Sequence, residues 1–239
     1  MSVPSNITNP DPTIPVPQGI YEESTTQLTP LGTEIKVGDR TFRYAGAGAA
    51  LAVGDCLASP DSNLSSKQTA GAAAAVGDRT ITAYIVTSVA AQHFADGYLL
   101  TADSGNQGYL YKVKSHPAIG NTAVGTITLY DGLALAITTA DKLSLIPSKY
   151  KSVGLCGATS AVAGFAPVAV TSGNYFWAQV KGPSAARVLS AAAYGALLVP
   201  GATGGLTAID ATANDSPVAQ VLSNAGTTAD HVIVSVNLP

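Results

Sequence analysis

The side chains of this 239-residue chain that can do chemistry are few and far apart. His93, His116 and His231 are its three histidines, and none falls in an HExxH, HxH or mixed Cys/His cluster, the spacings at which imidazoles converge on one ion. A metal site is therefore not expected. Cys56 and Cys156 also lack metal-type spacing, and in a reducing compartment they are expected to serve as small core hydrophobes rather than as a disulfide. Gly46-x-Gly48 follows a strand-like run but is not continued as G-x-G-x-x-G, and the glycine-rich stretches lack the Lys-Ser/Thr ending of a phosphate loop. No G-x-S-x-G elbow presents an acyl-transfer serine.

Paired carboxylates are the one catalytic device with enough raw material, since glycoside hydrolysis needs only two acids at the right separation. Glutamate is limited to Glu22, Glu23 and Glu34, and most aspartates stand beside Gly, Ser, Thr or Asn, where the side chain bonds its own backbone in a turn. Aromatic residues make up 6%, too sparse for the stacking platforms of a sugar-binding groove. No catalytic residue and no cofactor is expected. Arg40, Arg43 and Arg79 suit carbonyls and carboxylates around turns better than phosphate, and the single tryptophan, Trp177, reads as a structural anchor.

Composition constrains the elements that would carry these groups. Charged residues are 11% of the chain and hydrophobic ones 46%, drawn largely from Ala and Val. With 12 basic against 15 acidic residues, the net charge of −3 supplies no footprint for nucleic acid or an anionic membrane. The opening MSVPSNITNP has neither the basic nor the apolar region of a secretory signal, so synthesis and initial retention in a cytoplasm are expected. Uncharged stretches at 152–180 and 188–209 are interrupted by Gly and Pro, which argues against a spanning helix.

Apolar residues alternate with period two, the mark of half-buried strands. Ile81, Ala83 and Ile85 oppose Thr80, Thr82 and Tyr84; Tyr109, Tyr111 and Val113 oppose Leu110, Lys112 and Lys114; Val232, Val234, Val236 and Leu238 oppose Ser235 and Asn237. Helical spacing is confined to short stretches at 88–95 and 139–143. Turn pairs at Asp96-Gly97, Ser104-Gly105, Asp131-Gly132 and Ser172-Gly173 punctuate the runs. The expected fold is all-β, with β-sandwich or β-barrel lobes, an extended N-terminal arm and at most one or two short helices.

The arm is expected over residues 1–30, because Pro4, Pro10, Pro12, Pro15 and Pro17 fix φ and remove backbone donors. A first lobe would span 31–150 and a second 151–239, divided at the basic IPSKYK stretch. Val37-Gly38-Asp39-Arg40-Thr41 recurs as Val76-Gly77-Asp78-Arg79-Thr80, with a half-echo at Val53-Gly54-Asp55. These read as similar turns beside strands rather than as a solenoid repeat.

Three segments carry a family resemblance. Asp39-Arg40-Thr41-Phe42-Arg43-Tyr44, followed by Leu51-Ala52-Val53-Gly54, resembles a "D-G-R-x-F-R-Y … L-x-x-G" opening, permuted at the glycine. The stretch from Gln92 to Leu99, then Gly105 to Pro117, resembles "Y-A-D-G-Y … G-x-G-x-x-Y-x-I-K-S-H-P". Ser172 to Pro183 resembles "A-G-x-Y-x-W-x-Q-x-x-G-P". All three are similar to segments of the capsid decoration (cement) and head-associated structural proteins of tailed bacteriophages. The resemblance implies a non-enzymatic virion protein on the capsid surface, assembled in the host cytoplasm. Its partners would be the major capsid protein and other copies of itself, as a homotrimer, with no direct contact to nucleic acid or membrane. A tail or fibre component that binds the host surface is the alternative, and a polysaccharide depolymerase stands third. Partner contact is assigned to the apolar residues of the arm, Ile7, Ile14, Val16, Ile20 and Tyr21, which sit in a segment unsuited to owning a core.

Overall fold

The computed structural model describes residues 17–60, 67–102, 108–209, 216–223 and 230–238. They form an all-β chain, as composition and period two require. Sixteen strands are joined by turns, and the helical content is one 3-10 turn at Ala202–Gly204. The chain divides into two compact units. Unit 1 comprises Met1–Pro60 and Lys149–Pro239, and unit 2 comprises Asp61–Ser148.

This nested arrangement corrects the sequential division at 150. Unit 1 contains β1 (Glu34–Val37), β2 (Arg40–Gly46) and β3 (Cys56–Ala58) together with β10 (Gly154–Leu155), β11 (Val162–Phe165), β12 (Tyr175–Arg187), β13 (Leu197–Pro200), β14 (Leu206–Ala208), β15 (Ala219–Val221) and β16 (His231–Asn237). Long-range pairing of β2 with β12, and of β3 with β10 and β11, places the chain's early strands in the same sheet as its last. The basic stretch at 147–151 does mark a crossing, that of the return from unit 2. Of the arm expected over 1–30, residues 17–24 are joined to unit 1 instead, and residues 1–16 lie outside the described residues.

The 13 residues of β12 organise this unit. Along one margin Tyr175 to Lys181 pair with β2; along the other, Gln179 meets Phe165 of β11, and Lys181 to Arg187 pair with β16. A register shift between Gln179 and Lys181 marks where the neighbour changes. Beyond it, β16, β15, β13 and β14 follow in order, and a parallel bridge from Leu206 to Val188, just past the end of β12, brings the sheet back on itself. Val188, Leu198, Leu206, Val221, Val232, Val234 and Val236 fill the interior.

Unit 2 is a six-stranded antiparallel sheet in the order β4 (Gln68–Thr69), β9 (Lys142–Ile146), β6 (Tyr98–Thr101), β7 (Leu110–Ser115), β8 (Ala123–Leu129) and β5 (Thr80–Ile85). A bridge between Ala70 and Ala83 joins the two ends. Closure of this kind removes the exposed edges that an all-β unit must otherwise protect. The alternation expected at 80–85 is realised, with Ile81, Ala83 and Ile85 buried in this core, as are Tyr111 and Val113 of β7. In unit 1 the inward face of β16 likewise holds Val232, Val234 and Val236.

Neither stretch of helical spacing is helical. Around 88–95 the backbone donors go elsewhere: Gln92 N–H to the His116 carbonyl at 3.0 Å and Phe94 N–H to His116 Nε2 at 2.8 Å, with Gln92 and Asp96 at φ of 63° and 60°. At 139–143 the Asp141 carboxylate accepts both the N–H and the hydroxyl of Thr138, which closes a turn before β9.

The Val-Gly-Asp echo has a local cause. In Ala52-Val53-Gly54-Asp55 and Ala75-Val76-Gly77-Asp78, the aspartate oxygen accepts the N–H of the alanine three residues earlier, at 2.8 and 2.7 Å. Glycine takes the positive φ that each turn needs, 79° and 90°. These two copies lie in different units, so their likeness belongs to the turn, whereas Val37-Gly38-Asp39 forms the hairpin between β1 and β2.

Asp55 does more than close its turn. Its buried carboxylate accepts Nε and Nη2 of Arg187, both at 3.0 Å, and Arg187 Nη2 also donates to the Thr203 carbonyl. The end of β12, the turn before β3 and the 3-10 turn are thereby tied at one point. Removing one member of a buried pair strands the other charge, at a cost of about 3–5 kcal/mol. Asp55→Ala is expected to lower the urea-unfolding free energy by that order. Glu34→Ala, which breaks the more exposed 2.6 Å pair with Arg43, is expected to cost less than about 1 kcal/mol.

Candidate partner-contact site

Two surfaces present themselves, one in each unit. In unit 1 the chain emerges from the Pro-rich start onto the edge of β12. Gln18 is its fixed point. The side-chain oxygen accepts the Tyr44 hydroxyl at 3.1 Å, the side-chain nitrogen donates to the carbonyls of Glu22 at 2.6 Å and Tyr175 at 3.0 Å, and the backbone carbonyl accepts Trp177 Nε1 at 2.9 Å. A buried indole N–H needs such a partner, and here the partner comes from the N-terminal segment. Tyr44 packs edge-on against Trp177, with ring centroids 4.9 Å apart.

The following residues extend the seam. Ser24 exchanges backbone hydrogen bonds with Tyr175 at 2.9 and 2.8 Å, and Glu23 accepts the N–H and hydroxyl of Thr171 at 2.6 and 3.1 Å. The Thr171 N–H holds the Glu23 carboxyl below its ordinary value against the opposing effect of burial, with smaller help from the Asn174 side chain and the Thr171 hydroxyl. Its contribution to the seam is therefore present above the ordinary carboxylate range and is lost as the pH falls through the lowered value.

This geometry revises the contact residues. Ile20 is 1% exposed and belongs to the core of unit 1, so it is corrected from partner contact to internal anchor. The physical reason is the backbone pairing at Ser24 and the Gln18 network, which draw residues 17–24 into the fold. Tyr21 is exposed at 54%, its hydroxyl accepting Arg40 Nη1 at 3.0 Å, and is available for contact. Ile7, Ile14 and Val16 lie outside the described residues. Arg43 behaves as expected, donating to the Gly32 carbonyl at 2.9 Å and pairing with Glu34.

In unit 2 the outward face of β6 and its neighbours is mixed: Lys112 of β7 stands opposite Tyr98 and Ser144 of β9 opposite Leu100, with large apolar side chains between them. Tyr98 stands opposite Ile146 of β9, and Leu100 opposite Leu110 of β7, and all four side chains are exposed. On strands whose inner faces are already buried, these four large apolar side chains have no role in that unit's own core. Alternation along 109–114 already sets Leu110 on the face of Lys112 and Lys114, where it lies; what the sequence does not show is Tyr98 beside Ile146, because β9 comes far later in the chain than β6.

The catalytic candidates do not assemble. His93 and His116 flank Phe94 with ring centroids 4.9 and 5.3 Å away, while His231 bonds the Val53 carbonyl in unit 1 at 2.9 Å. His116 Nε2 accepts the Phe94 N–H, which leaves Nδ1 to donate to the Pro117 carbonyl at 2.7 Å, a structural use of both nitrogens. Among the described residues, no group of three or more His, Cys, Asp or Glu is placed to hold a metal ion. No described helix is long and apolar enough to cross a membrane.

Unit 1 also carries a cleft of about 440 Å³ whose lining includes Lys149, Thr159, Ser160, Pro200, Ser216 and Asn237. Burial, with the charge of Arg43, lowers the Lys149 ammonium from its ordinary value. Chemically the cleft offers one cation and several hydroxyls to a polar ligand. No protein-family model, curated protein or solved structure matches this chain.

Two of the three segments that carry the family resemblance are partners in the sheet. Arg40 to Tyr44 form β2 and Tyr175 to Lys181 the facing half of β12, with Tyr44 opposite Trp177. These residues are therefore architectural. Trp177→Phe removes the bond to Gln18 and leaves its carbonyl unpaired. It is expected to cost about 1–3 kcal/mol and to speed limited proteolysis within residues 17–24, with strand content by circular dichroism unchanged.

Proposed function

We propose that this chain is a virion structural protein that docks on the outside of an assembled capsid lattice and stabilises it. The observation that carries the reading is the group of four large exposed apolar side chains, Tyr98, Leu100, Leu110 and Ile146, on the outer face of a closed unit, with Lys112 and Ser144 among them. Fully burying a large apolar side chain is worth about 1.5–3 kcal/mol, and these four, already about half covered, would gain roughly half of that each against a partner. Support also comes from the N-terminal segment, which is fastened at Gln18 and Trp177 and preceded by a run of prolines that limits the entropy lost on docking. The resemblance of the segments in β2 and β12 to segments of phage cement proteins points the same way.

Cementing follows from linkage. A protein that binds the assembled lattice and not the free subunit transfers its binding free energy to the assembled state. Several modest contacts made by one bound oligomer multiply by effective concentration, and a homotrimer seated where three capsid subunits meet would make three sets at once.

The test is binding of the purified chain to expanded heads that lack it. Bound protein is expected to delay thermal rupture of the heads. Leu100→Ser with Leu110→Ser is expected to weaken binding at least about tenfold while leaving the melting temperature of the free protein nearly unchanged, because both side chains are already exposed. Removing residues 1–16 is expected to weaken binding without loss of strand content. Full-affinity binding by both variants, or heads equally robust with and without the protein, would overturn the proposal.

A further inference from the structure

The two cysteines, 100 positions apart in the sequence, meet in the fold. Leu155 of β10 pairs with Leu57 of β3 and Gly154 with Ala58, so the antiparallel register continued by one residue sets Cys156 opposite Cys56. The Cys156 N–H donates to the Cys56 carbonyl at 3.0 Å. Both side chains are buried, and their thiols are within hydrogen-bonding reach of each other. We propose that Cys56 and Cys156 form an intramolecular disulfide under oxidising conditions, pinning β3 to β10 and joining the chain on either side of unit 2.

Geometry favours this pairing over others. The bond from the Cys156 N–H to the Cys56 carbonyl makes this a hydrogen-bonded pair, whose Cβ atoms stand near the wide end of the about 4.5–5.5 Å range for opposed residues, and a disulfide needs about 3.5–4.5 Å. Closing the bond therefore takes a movement of about an ångström. With two cysteines in the chain, only one intramolecular bridge exists and mispairing within the chain has no alternative. The bridge closes a loop of about 100 residues that contains all of unit 2, a length at which constraint of the unfolded chain is large.

The chemistry balances with a low-molecular-weight disulfide as oxidant. One cysteine, as thiolate, attacks a sulfur of glutathione disulfide and releases one glutathione; the second then attacks the protein sulfur of the mixed disulfide and releases the other. The two thiol protons end on the two glutathione molecules, and the protein loses two hydrogens. On the closed fold this is slow. Hydrogen bonding to Cys156, then burial, then the charges of Cys156 and Asp55 push the Cys56 thiol well above its ordinary value, and the nucleophile is the thiolate. Access comes through β10, a two-residue strand at the end of its sheet, whose local opening bares both sulfurs. The reduced pair is thus preserved in a reducing cytoplasm and convertible outside it.

The experiment uses the full chain, incubated with glutathione disulfide or refolded from urea in a glutathione redox buffer. The refolding arm removes the question of access. Thiols titrated after denaturation are expected to fall from two per chain to none. The monomer is expected to run faster on non-reducing electrophoresis, and the melting temperature to rise by about 5 °C or more, all reversed by dithiothreitol. C56A/C156A, which stays small and apolar, is expected to show none of these changes. Folded protein that retains both thiols in both arms, cross-linking only between chains, or a bridged monomer that melts at or below the reduced one would overturn the proposal.

Discussion

Unit 1 depends on one ladder. Because β12 is 13 residues long, it accepts β2 along one margin and both β11 and β16 along the other, and each neighbour comes from a different stretch of the chain. Strands joined mostly by Ala, Val and Gly gain little per residue from side-chain burial. Continuous backbone pairing and closure of the sheet carry correspondingly more of the stability. The large side chains are concentrated where the ladder is most exposed to failure: Trp177, Phe176, Phe42 and Tyr44 lie on the β2–β12 pair. Gln18 satisfies the polar atoms that such packing would strand, and so ties the N-terminal segment to this pair of strands.

The same economy explains the turns and the charges. Two Ala-Val-Gly-Asp turns close by the same side-chain-to-backbone bond in different units, without borrowing from the core. The buried pair of Asp55 and Arg187 then uses one of those turns to fasten the far end of β12. Charge in this chain is spent on tying elements together, which fits its scarcity in the sequence.

Local signals were legible in the sequence and non-local ones were not. The alternation at 80–85 and 231–238 named the buried faces of β5 and β16, because period two depends only on the strand itself. Nested domains were hidden: β3 and β10 are short, and nothing in 56–58 or 154–155 announces that they pair. The same blindness separated Cys56 from Cys156, set Ile20 on an arm instead of in a core, and kept Tyr98 apart from Ile146. Trp177 offered a usable clue, since a buried indole needs an acceptor, but the acceptor's identity waited on the fold.

The proposed capsid-docking role asks little of side-chain chemistry and much of surface shape, and the exposed apolar side chains around β6 and the fastened N-terminal segment are the features suited to it. The most direct measurement is an electron-microscopic image of the virion, at even low resolution, compared with particles whose copy of this protein is deleted. The account predicts difference density repeated over the capsid lattice at positions where subunits meet. Density confined to the tail, or particles that lack the protein altogether, would contradict it.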